Sequence, residues 1–359
     1  MYNLIYPTLF RLDPERAHEL TLRALRLAGN ITLSRWMLQL LFFARSKPVE
    51  AFGLTFKNPV GIAAGYDKDG VAIRGLSALG FGHVEIGTVT PRPQPGNPSP
   101  RIFRLVEDEA IINRMGFPSL GTERMQIELN PALRMNLAER IVGFGARRRR
   151  GFSRVSDAML GINLGRNKDT PNDEAVFDYL ALLQNFSAYA DYLAINVSSP
   201  NTVGLRDLQS RVALETLLNH LHQQRVIEQK NHKKRIPILV KLSPDLSEAE
   251  LDGAIEAILR SRMDGIIVTN TTLGREGVSS TLRGEAGGLS GKPLKQASEA
   301  VLYQTVKKVD GAVPIVSVGG IMNPDDAKKR LDMGATLIQI YSGLIYRGPG
   351  LVKEILRHI

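Results

Sequence analysis

The chain has 359 residues, a net charge of +10 and a hydrophobic share of 43%, which together describe a globular protein of one barrel or two ordinary domains. Because it contains no cysteine, disulfides, cysteine-ligated zinc, cysteine-ligated iron–sulfur clusters and thiolate catalysis are excluded. The positive charge favours an anionic partner, which could be nucleic acid, an acidic lipid surface or an acidic small molecule.

The pattern of residues 1–48 predicts a short amphipathic helical segment that precedes the rest of the chain. Asp13, Pro14 and Glu15 form an N-cap and a first helical turn, and the apolar pattern continues to Gly29. A second apolar stretch covers residues 31–43. The segment lacks signal-peptide features, and its longest apolar run is too short to span a bilayer. We therefore expect a cytoplasmic location, with a helix pair that either packs on the body or lies in a membrane interface.

Eight short apolar runs bounded by Gly, Pro or Asn alternate with helical patterns from residue 58 onward. The predicted strands are 58–64, 83–88, 159–163, 192–196, 236–242, 265–269, 314–318 and 336–341, and the helical patterns include 174–190, 213–229, 247–262 and 295–309. They predict an α/β fold, a (β/α)8 TIM barrel over residues 49–359 with a short N-terminal helical extension and a basic insertion near 121–158. A Rossmann domain is not expected, because no strand is followed by G-x-G-x-x-G.

Polar side chains stand where the predicted strands end, which is the active-site edge of such a barrel. Three are asparagines, and two more occupy nearby loops; these are Asn163, Asn196, Asn270, Asn113 and Asn201. A single asparagine there is usually a turn former, but a ring of amides suits a flat ligand with alternating C=O and N–H edges, such as a pyrimidine or a flavin. Asp67 is the main acid at this edge, so neither a two-carboxylate glycosidase nor a metal site is expected.

The last strands and the fifth strand add a second indication. Gly319 and Gly320, with Gly343 further on, either form a tight turn or hold a phosphate on backbone N–H groups. Lys241 lies in an apolar strand and would face the barrel interior, where an ammonium group needs an anion such as a reduced flavin. Together with the amides, these residues favour a flat, phosphorylated cofactor.

Several long motifs, in order along nearly the whole chain, carry a family resemblance. They are residues 12–19 (LDPERAHE), 53–59 (GLTFKNP), 63–70 (AAGYDKDG), 85–97 (EIGTVTPRPQPGN), 113–117 (NRMGF), 196–202 (NVSSPNT) and 287–291 (GGLSG). The sequence resembles class 2 dihydroorotate dehydrogenases, the FMN-dependent, quinone-reducing enzymes of pyrimidine biosynthesis. Class 1 members use a cysteine as base, so the absence of cysteine excludes that class.

The resemblance implies oxidation of dihydroorotate to orotate, with Ser199 removing the proton from C5 while hydride leaves C6 for FMN. The residues alone do not decide whether Ser198 or Ser199 faces the flavin. A serine is a poor base and must pass its own proton onward, so a relay is needed, for which the family suggests Thr202 and the neighbourhood of Phe117.

The resemblance also assigns binding residues. Substrate would be held by Lys68, Asn113, Arg114, Met115, Gly116, Phe117, Asn196, Asn201, Asn270 and Thr271. FMN would lie against Ala64, Gly65, Thr88, Asn163, Asn196, Lys241, Thr269, Gly291 and Gly320, with Tyr341 and Ser342 at its phosphate. Because the quinone is dissolved in the membrane, the resemblance implies that residues 1–48 dock on the membrane and form the quinone entrance. His18 and Arg104 would contact the quinone there. The expected location is then peripheral, on the cytoplasmic side of the cell membrane, with no nucleic acid as partner.

The segment between Leu120 and Met159 is longer than the family leads us to expect, and it is rich in arginine, at positions 134, 140, 147–150 and 154. Such a run is a solvated loop, a site for anionic lipid or a site for nucleic acid. Two other functions stay open. A flavin barrel such as a tRNA dihydrouridine synthase would need a cysteine acid and an RNA-binding extension, neither of which is seen. A non-catalytic membrane- or RNA-binding module would leave the amide ring and Lys241 without purpose.

Overall fold

The computed structural model describes residues 2–130 and 157–359, and within them eight parallel strands close into a barrel. In chain order the barrel strands are β3 (Val60–Ile62), β4 (His83–Val89), β7 (Met159–Leu164), β8 (Tyr192–Asn196), β9 (Ile238–Leu242), β10 (Gly265–Val268), β12 (Ile315–Val318) and β13 (Leu337–Ile340). All eight predicted strands are present, and their predicted bounds differ from these by at most two residues. The (β/α)8 fold is confirmed.

Helices surround the barrel and connect its strands. They are α4 (Ile73–Ala78), α5 (Gly121–Leu129), α6 (Ala175–Phe186), α7 (Arg211–His232), α8 (Glu248–Arg260), α9 (Lys295–Val309), α10 (Pro324–Asp332), α11 (Ser342–Arg347) and α12 (Leu351–His358). Local sequence explains several of their starts. Ser247 and Glu250, for example, form a reciprocal capping box at the start of α8. The arginine-rich part of the predicted insertion, residues 131–156, lies outside the described residues.

Strand periodicity divides the apolar side chains into two layers. Val84 and Ile86 of β4 point outward into the core between strands and helices, whereas His83 and Glu85 point into the barrel. The hairpin of β1 (Val49–Ala51) and β2 (Leu54–Phe56) lies against this interior, where Phe56 contacts the rings of His83 and Tyr192.

Two glycines make room for these large interior side chains, each from the strand next to the one that carries the side chain. A Cβ at Gly61 would lie 2.0 Å from His83 Nε2, and one at Gly161 would lie 2.2 Å from Tyr192 Cζ. Both distances are far inside van der Waals contact, so each glycine is required by its neighbour's side chain.

Three helices form the N-terminal segment, α1 (Tyr2–Arg11), α2 (Pro14–Asn30) and α3 (Thr32–Leu41). Asp13 caps α2 by accepting the N–H groups of Glu15 and Arg16, as the sequence predicts. Helix α1 was not predicted, since Pro7 lies inside it and interrupts the helical pattern.

One face of this segment packs on the barrel and another is open to solvent. A Cβ at Gly75 of α4 would lie 2.2 Å from Leu25 O, so α2 and α4 touch through their backbones. Large apolar side chains are exposed on the other face, among them Leu27, Leu33, Trp36, Met37, Leu40 and Phe43. Across residues 2–130 and 157–359, no helix combines the length and apolar character needed to cross a membrane.

A small antiparallel sheet was also missed by sequence reasoning. It consists of β5 (Ile102–Leu105), β6 (Ala110–Asn113) and β11 (Gly288–Gly291), with β6 between the other two. Its pairing sets Asn113 opposite Gly288 and so brings two distant loops together.

Candidate active site

A cavity of about 600 Å3 begins at the carboxyl ends of the barrel strands and continues beneath the N-terminal helices. Almost every residue that the resemblance assigns to substrate, cofactor or quinone lines it. The two exceptions are Arg114, whose guanidinium binds Glu285 at 2.6 Å and lies over Phe103, and Asn163, which is buried one layer deeper. One continuous space therefore joins the three predicted subsites.

The five predicted amides form two hydrogen-bonded groups, a chain of three and a separate pair. Asn163 Oδ1 accepts from Thr88 Oγ1 at 2.6 Å and from Asn196 Nδ2 at 3.0 Å. Asn196 Oδ1 in turn accepts from Asn270 Nδ2 at 3.3 Å. Asn201 Nδ2 donates to Asn113 Oδ1 at 3.2 Å, forming a second pair at the same mouth. Because each amide is oriented by its neighbours, the remaining donors and acceptors face the cavity in a fixed arrangement.

Below the amides lie two ionisable groups, Glu85 and Lys241, of which sequence reasoning missed Glu85. Glu85 is fully buried and accepts a hydrogen bond from Asn163 Nδ2 at 2.9 Å. Lys241 lines the cavity, and burial lowers its pKa while the charge of Glu85 opposes that shift. The signal for Glu85 was its place in a strand where alternate residues point inward, together with the need of Lys241 for an anion.

The structure distinguishes the two serines after β8. Ser198 Oγ is buried in the amide chain, where it contacts Asn196 Oδ1 at 3.3 Å and accepts from Asn270 Nδ2 at 3.0 Å. Ser199 lines the cavity, and its Oγ accepts the N–H of Asn201 at 3.3 Å. Thr202 Oγ1 is buried and has no hydrogen-bond partner among the described residues. Ser199 is thus the serine that a ligand can reach.

Lys68 lines the cavity, and Asp67 does not. Burial lowers the pKa of Lys68, and the nearby carboxylates of Asp69 and Glu15 oppose that effect. Asp67 was expected to be an acid at the mouth of the site, but it is buried and accepts the N–H groups of Val71 and Ala72. That expectation was wrong because Asp67 closes its own loop, leaving Lys68 to face a ligand.

Glycines near the later strand ends leave room for a ligand at the other side of the cavity. Gly319 and Gly320 have φ of +113° and +71°, and a Cβ at Gly320 would lie 2.4 Å from the backbone of Lys295. Nearby, Ser290 Oγ and Ser342 Oγ are 2.9 Å apart. On the floor, Gln339 Oε1 is buried and unpartnered within the described residues. Bare backbone, hydroxyls and an unused polar atom fit a flat cofactor with a phosphate group.

The far end of the cavity is apolar and lies under the N-terminal helices. Burial lowers the pKa of His18 to about 3, so its ring is neutral at physiological pH, and its Nε2 has no partner in the part of the chain described. Arg104 donates to the carbonyl groups of Leu9 and Leu12 and lies 4.7 Å from the centre of the Phe10 ring. Arg104 therefore holds the junction between α1 and α2 at the cavity wall.

Fold and site together define an enzyme of the (β/α)8 class, whose cavity is built for flat ligands that form hydrogen bonds along their edges. A family model described as dihydroorotate dehydrogenase matches residues 47–359. The chain belongs to the dihydroorotate dehydrogenase family.

Curated relatives and a solved structure agree with this assignment. A dihydroorotate dehydrogenase (quinone) from Thiobacillus denitrificans is 46% identical over 360 residues, covering 100% of this chain and 99% of that protein. One from Shewanella sp. (strain ANA-3) is 45% identical over 356 residues, covering 99% and 98%. A crystal structure of the Eimeria tenella enzyme in complex with ferulenol matches with a TM-score of 0.78 and 37% identity, covering 92% of this chain and 90% of that one. The predicted membership of class 2 is confirmed.

Proposed function

We propose that this protein oxidises dihydroorotate to orotate in pyrimidine biosynthesis, using FMN as its cofactor and a membrane quinone as the electron acceptor. The observation that carries the proposal is the single cavity, which connects Ser199 and Lys68 at the barrel mouth to His18 and Arg104 under the N-terminal helices. A dehydrogenase that passes electrons from a polar substrate to an apolar acceptor needs both environments beside one cofactor.

Substrate binding is assigned to Lys68 and to the amides of the cavity mouth. The Lys68 ammonium would bind the substrate carboxylate, because a charge-assisted hydrogen bond inside a cavity is stronger than a neutral one. Asn113, Asn196, Asn201 and Asn270 would bind the C=O and N–H groups of the ring. The amides orient the ring so that its C5 proton faces Ser199.

Ser199 is the proposed base. Its hydroxyl must release a proton as it accepts one from C5, because a serine alkoxide is not available at neutral pH. Thr202 Oγ1, which is close in sequence, buried and without a partner among the described residues, is the group proposed to accept that proton while releasing its own toward solvent. Phe117 lines the same cavity and would help to exclude water.

The chemistry that FMN would supply, when bound, is that of a hydride acceptor for C6 and a carrier of electrons to the quinone. The residues proposed to hold FMN are Ala64, Gly65, Thr88, Asn163, Asn196, Lys241, Thr269, Gly291 and Gly320, with Tyr341 and Ser342 at the phosphate. Lys241 would place a positive charge at the flavin, and the backbone of Gly320 would approach the phosphate without a side chain in between.

Residues 1–48 are the proposed quinone entrance, and residues 49–359 the FMN-binding barrel. The exposed apolar side chains of α2 and α3 would lie in the lipid boundary, with the protein peripheral on the cytoplasmic side of the membrane. This arrangement would let a quinone pass from the bilayer to His18 and Arg104 without crossing water.

The test is the visible spectrum of the purified protein under anaerobic conditions. Flavin bands that bleach with dihydroorotate and return with a soluble quinone would establish both half-reactions. Bound flavin that does not respond to dihydroorotate would favour another flavin barrel, such as a tRNA dihydrouridine synthase. A colourless protein that cannot be reconstituted with FMN would overturn the proposal.

A further inference from the structure

The interior of the barrel carries very few groups that can titrate. Within the eight described barrel strands these are His83, Glu85, Tyr192 and Lys241. Burial lowers the pKa of His83 to about 3 and raises the pKa of Tyr192 well above 10, so both are neutral at physiological pH. Tyr341, just beyond β13, also has a raised pKa and is neutral. Glu85 and Lys241 are therefore the two remaining groups in these strands that can carry a charge.

Lys241 lies in surroundings that disfavour its charge. The ammonium group forms no hydrogen bond with residues 2–130 or 157–359, and its residue is only 5% exposed. An unpaired ammonium in such a place would favour losing its proton. The charge of Glu85 acts against this loss, and Glu85 lies on β4, three strands away from β9 around the barrel.

Glu85 is held in place by three donors from three strands. Its carboxylate accepts from Asn163 Nδ2 at 2.9 Å, from Tyr192 OH at 3.1 Å and from Gln339 Nε2 at 2.8 Å. A carboxylate only accepts, so the amide nitrogen of Asn163 must face it. The Asn163 oxygen is then left for Thr88 and Asn196, the first members of the amide chain at the cavity mouth.

We propose that Glu85 is a positioning residue, which keeps Lys241 as an ammonium ion at the cavity floor and fixes the direction of the Asn163 amide. Glu85 acts through these two residues and does not itself reach the cavity. The inference rests on the proposed function in one respect, since the group that benefits from the Lys241 charge is the bound flavin. A reduced, anionic flavin is stabilised by a nearby positive charge.

The first test is a double-mutant cycle on thermal unfolding of the purified protein, with Glu85→Gln, Lys241→Met and the double variant. Each single change leaves one interior charge without its partner, whereas the double change removes both. We expect the double variant to have a higher melting temperature than Glu85→Gln. Its loss of stability relative to wild type should be smaller than the sum of the losses in the two single variants. Strictly additive losses would overturn the pairing.

The second test is the midpoint potential of bound FMN as a function of pH. In Glu85→Gln the inflection caused by Lys241 should move to lower pH by at least about one unit, because the opposite charge that favours the ammonium is gone. The inflection should disappear in Lys241→Met. Tyr192→Phe is the matched control, since it removes one donor to Glu85 but keeps both charges, and its inflection should stay at the wild-type pH.

If the inflection in the FMN midpoint potential stayed at the wild-type pH in Glu85→Gln, the proposal would be overturned. An inflection that persisted in the Lys241→Met protein would overturn it as well. If Glu85→Gln does not retain FMN, the unfolding cycle still decides, and Glu85→Asp, which keeps the charge, should recover FMN binding. Failure of the proposed function looks different, because then the wild-type protein itself would bind no FMN or would hold FMN that dihydroorotate does not reduce.

Discussion

Ser199 and Ser198 are neighbours in the chain but have different surroundings. Ser198 is committed to the hydrogen-bond chain of Asn196 and Asn270, and Ser199 is open to the cavity. A pair of serines after a strand carries no sequence signal for this difference, which depends on how the loop turns after β8. The position of Ser199 relative to Thr202 and Asn201 becomes clear only in the three-dimensional structure.

Replacing Ser199 by Ala is expected to slow flavin reduction by dihydroorotate by about 10²- to 10⁴-fold, since a positioned general base contributes that much. Anaerobic stopped-flow measurement of flavin bleaching checks this. Oxidation of the reduced flavin by quinone should be unchanged, because that half-reaction does not use the serine. A Ser199→Ala protein that bleaches at the wild-type rate would rule out the assigned role.

Lys68→Met is expected to weaken orotate binding by about 10- to 150-fold, the range for losing a charged hydrogen bond. In the wild-type protein, binding needs the protonated amine, whose pKa burial holds below its ordinary value of 10.5. Affinity should therefore decline as pH rises through that lowered pKa, and the decline should be absent in Lys68→Met.

Titration of the flavin spectrum with orotate at several pH values measures both effects. Lys328→Met is a suitable control, because Lys328 is a surface residue paired with Asp332. An unchanged affinity for substrate in Lys68→Met would show that the substrate carboxylate is bound elsewhere.

At the scale of elements, the barrel was predictable and the additions to it were not. Each barrel strand is a short apolar run between turn residues, so the local sequence contains the information. The β6–β11 pair joins residues about 175 positions apart, and pairing at that range leaves no local pattern. Helix α1 contains Pro7, which normally argues against a helix. The site followed largely from the barrel, because strand ends meet at one edge.

The contact between α2 and α4 should control quinone reduction. Gly75→Ala would push a methyl group to 2.2 Å from Leu25 O, and backbone cannot move aside cheaply. We expect a loss of about 1–3 kcal/mol in stability and slower reoxidation by quinone, with flavin reduction by dihydroorotate retained. Gly284→Ala provides the control, since a Cβ there meets nothing within 4 Å. Equal effects on the two half-reactions would argue against a separate role for the helical segment.

The proposed membrane association would depend on the exposed face of α3. Leu33 and Met37 lie one turn apart and are 66% and 58% exposed. The double change Leu33→Glu with Met37→Glu should reduce binding to vesicles of neutral and anionic phospholipid, while flavin reduction by dihydroorotate stays at the wild-type rate. Vesicle flotation measures the binding, and undiminished flotation would exclude this face as the docking surface.

For the whole molecule, the buried histidines make stability depend on pH. Burial lowers the pKa of His83 from 6.5 to about 3. Below pH 6.5 the His83 ring therefore stays neutral in the folded protein, whereas it takes up a proton in the unfolded chain. Stability is therefore lost as pH falls below 6.5, with a contribution of about 2 kcal/mol from His83 at pH 5. His18 shifts in the same direction and adds to the effect.

His83→Leu should make the protein less sensitive to acid, since it removes a titrating group whose ring nitrogens lack partners among the described residues. Melting temperatures measured between pH 5 and pH 7 should show that the difference in melting temperature between His83→Leu and wild type favours the variant most at pH 5. If wild type and variant changed in parallel with pH, His83 would not be a source of the acid sensitivity.

The glycines beneath the large interior side chains also bear on how this family can diverge. Gly161 leaves room for Tyr192, and Gly61 leaves room for His83, with no space for a single extra methyl group in either pair. A substitution at one member is tolerated only after the other has become smaller. These positions should therefore change together or not at all among relatives, and the floor of the barrel should diverge more slowly than the helices that surround it.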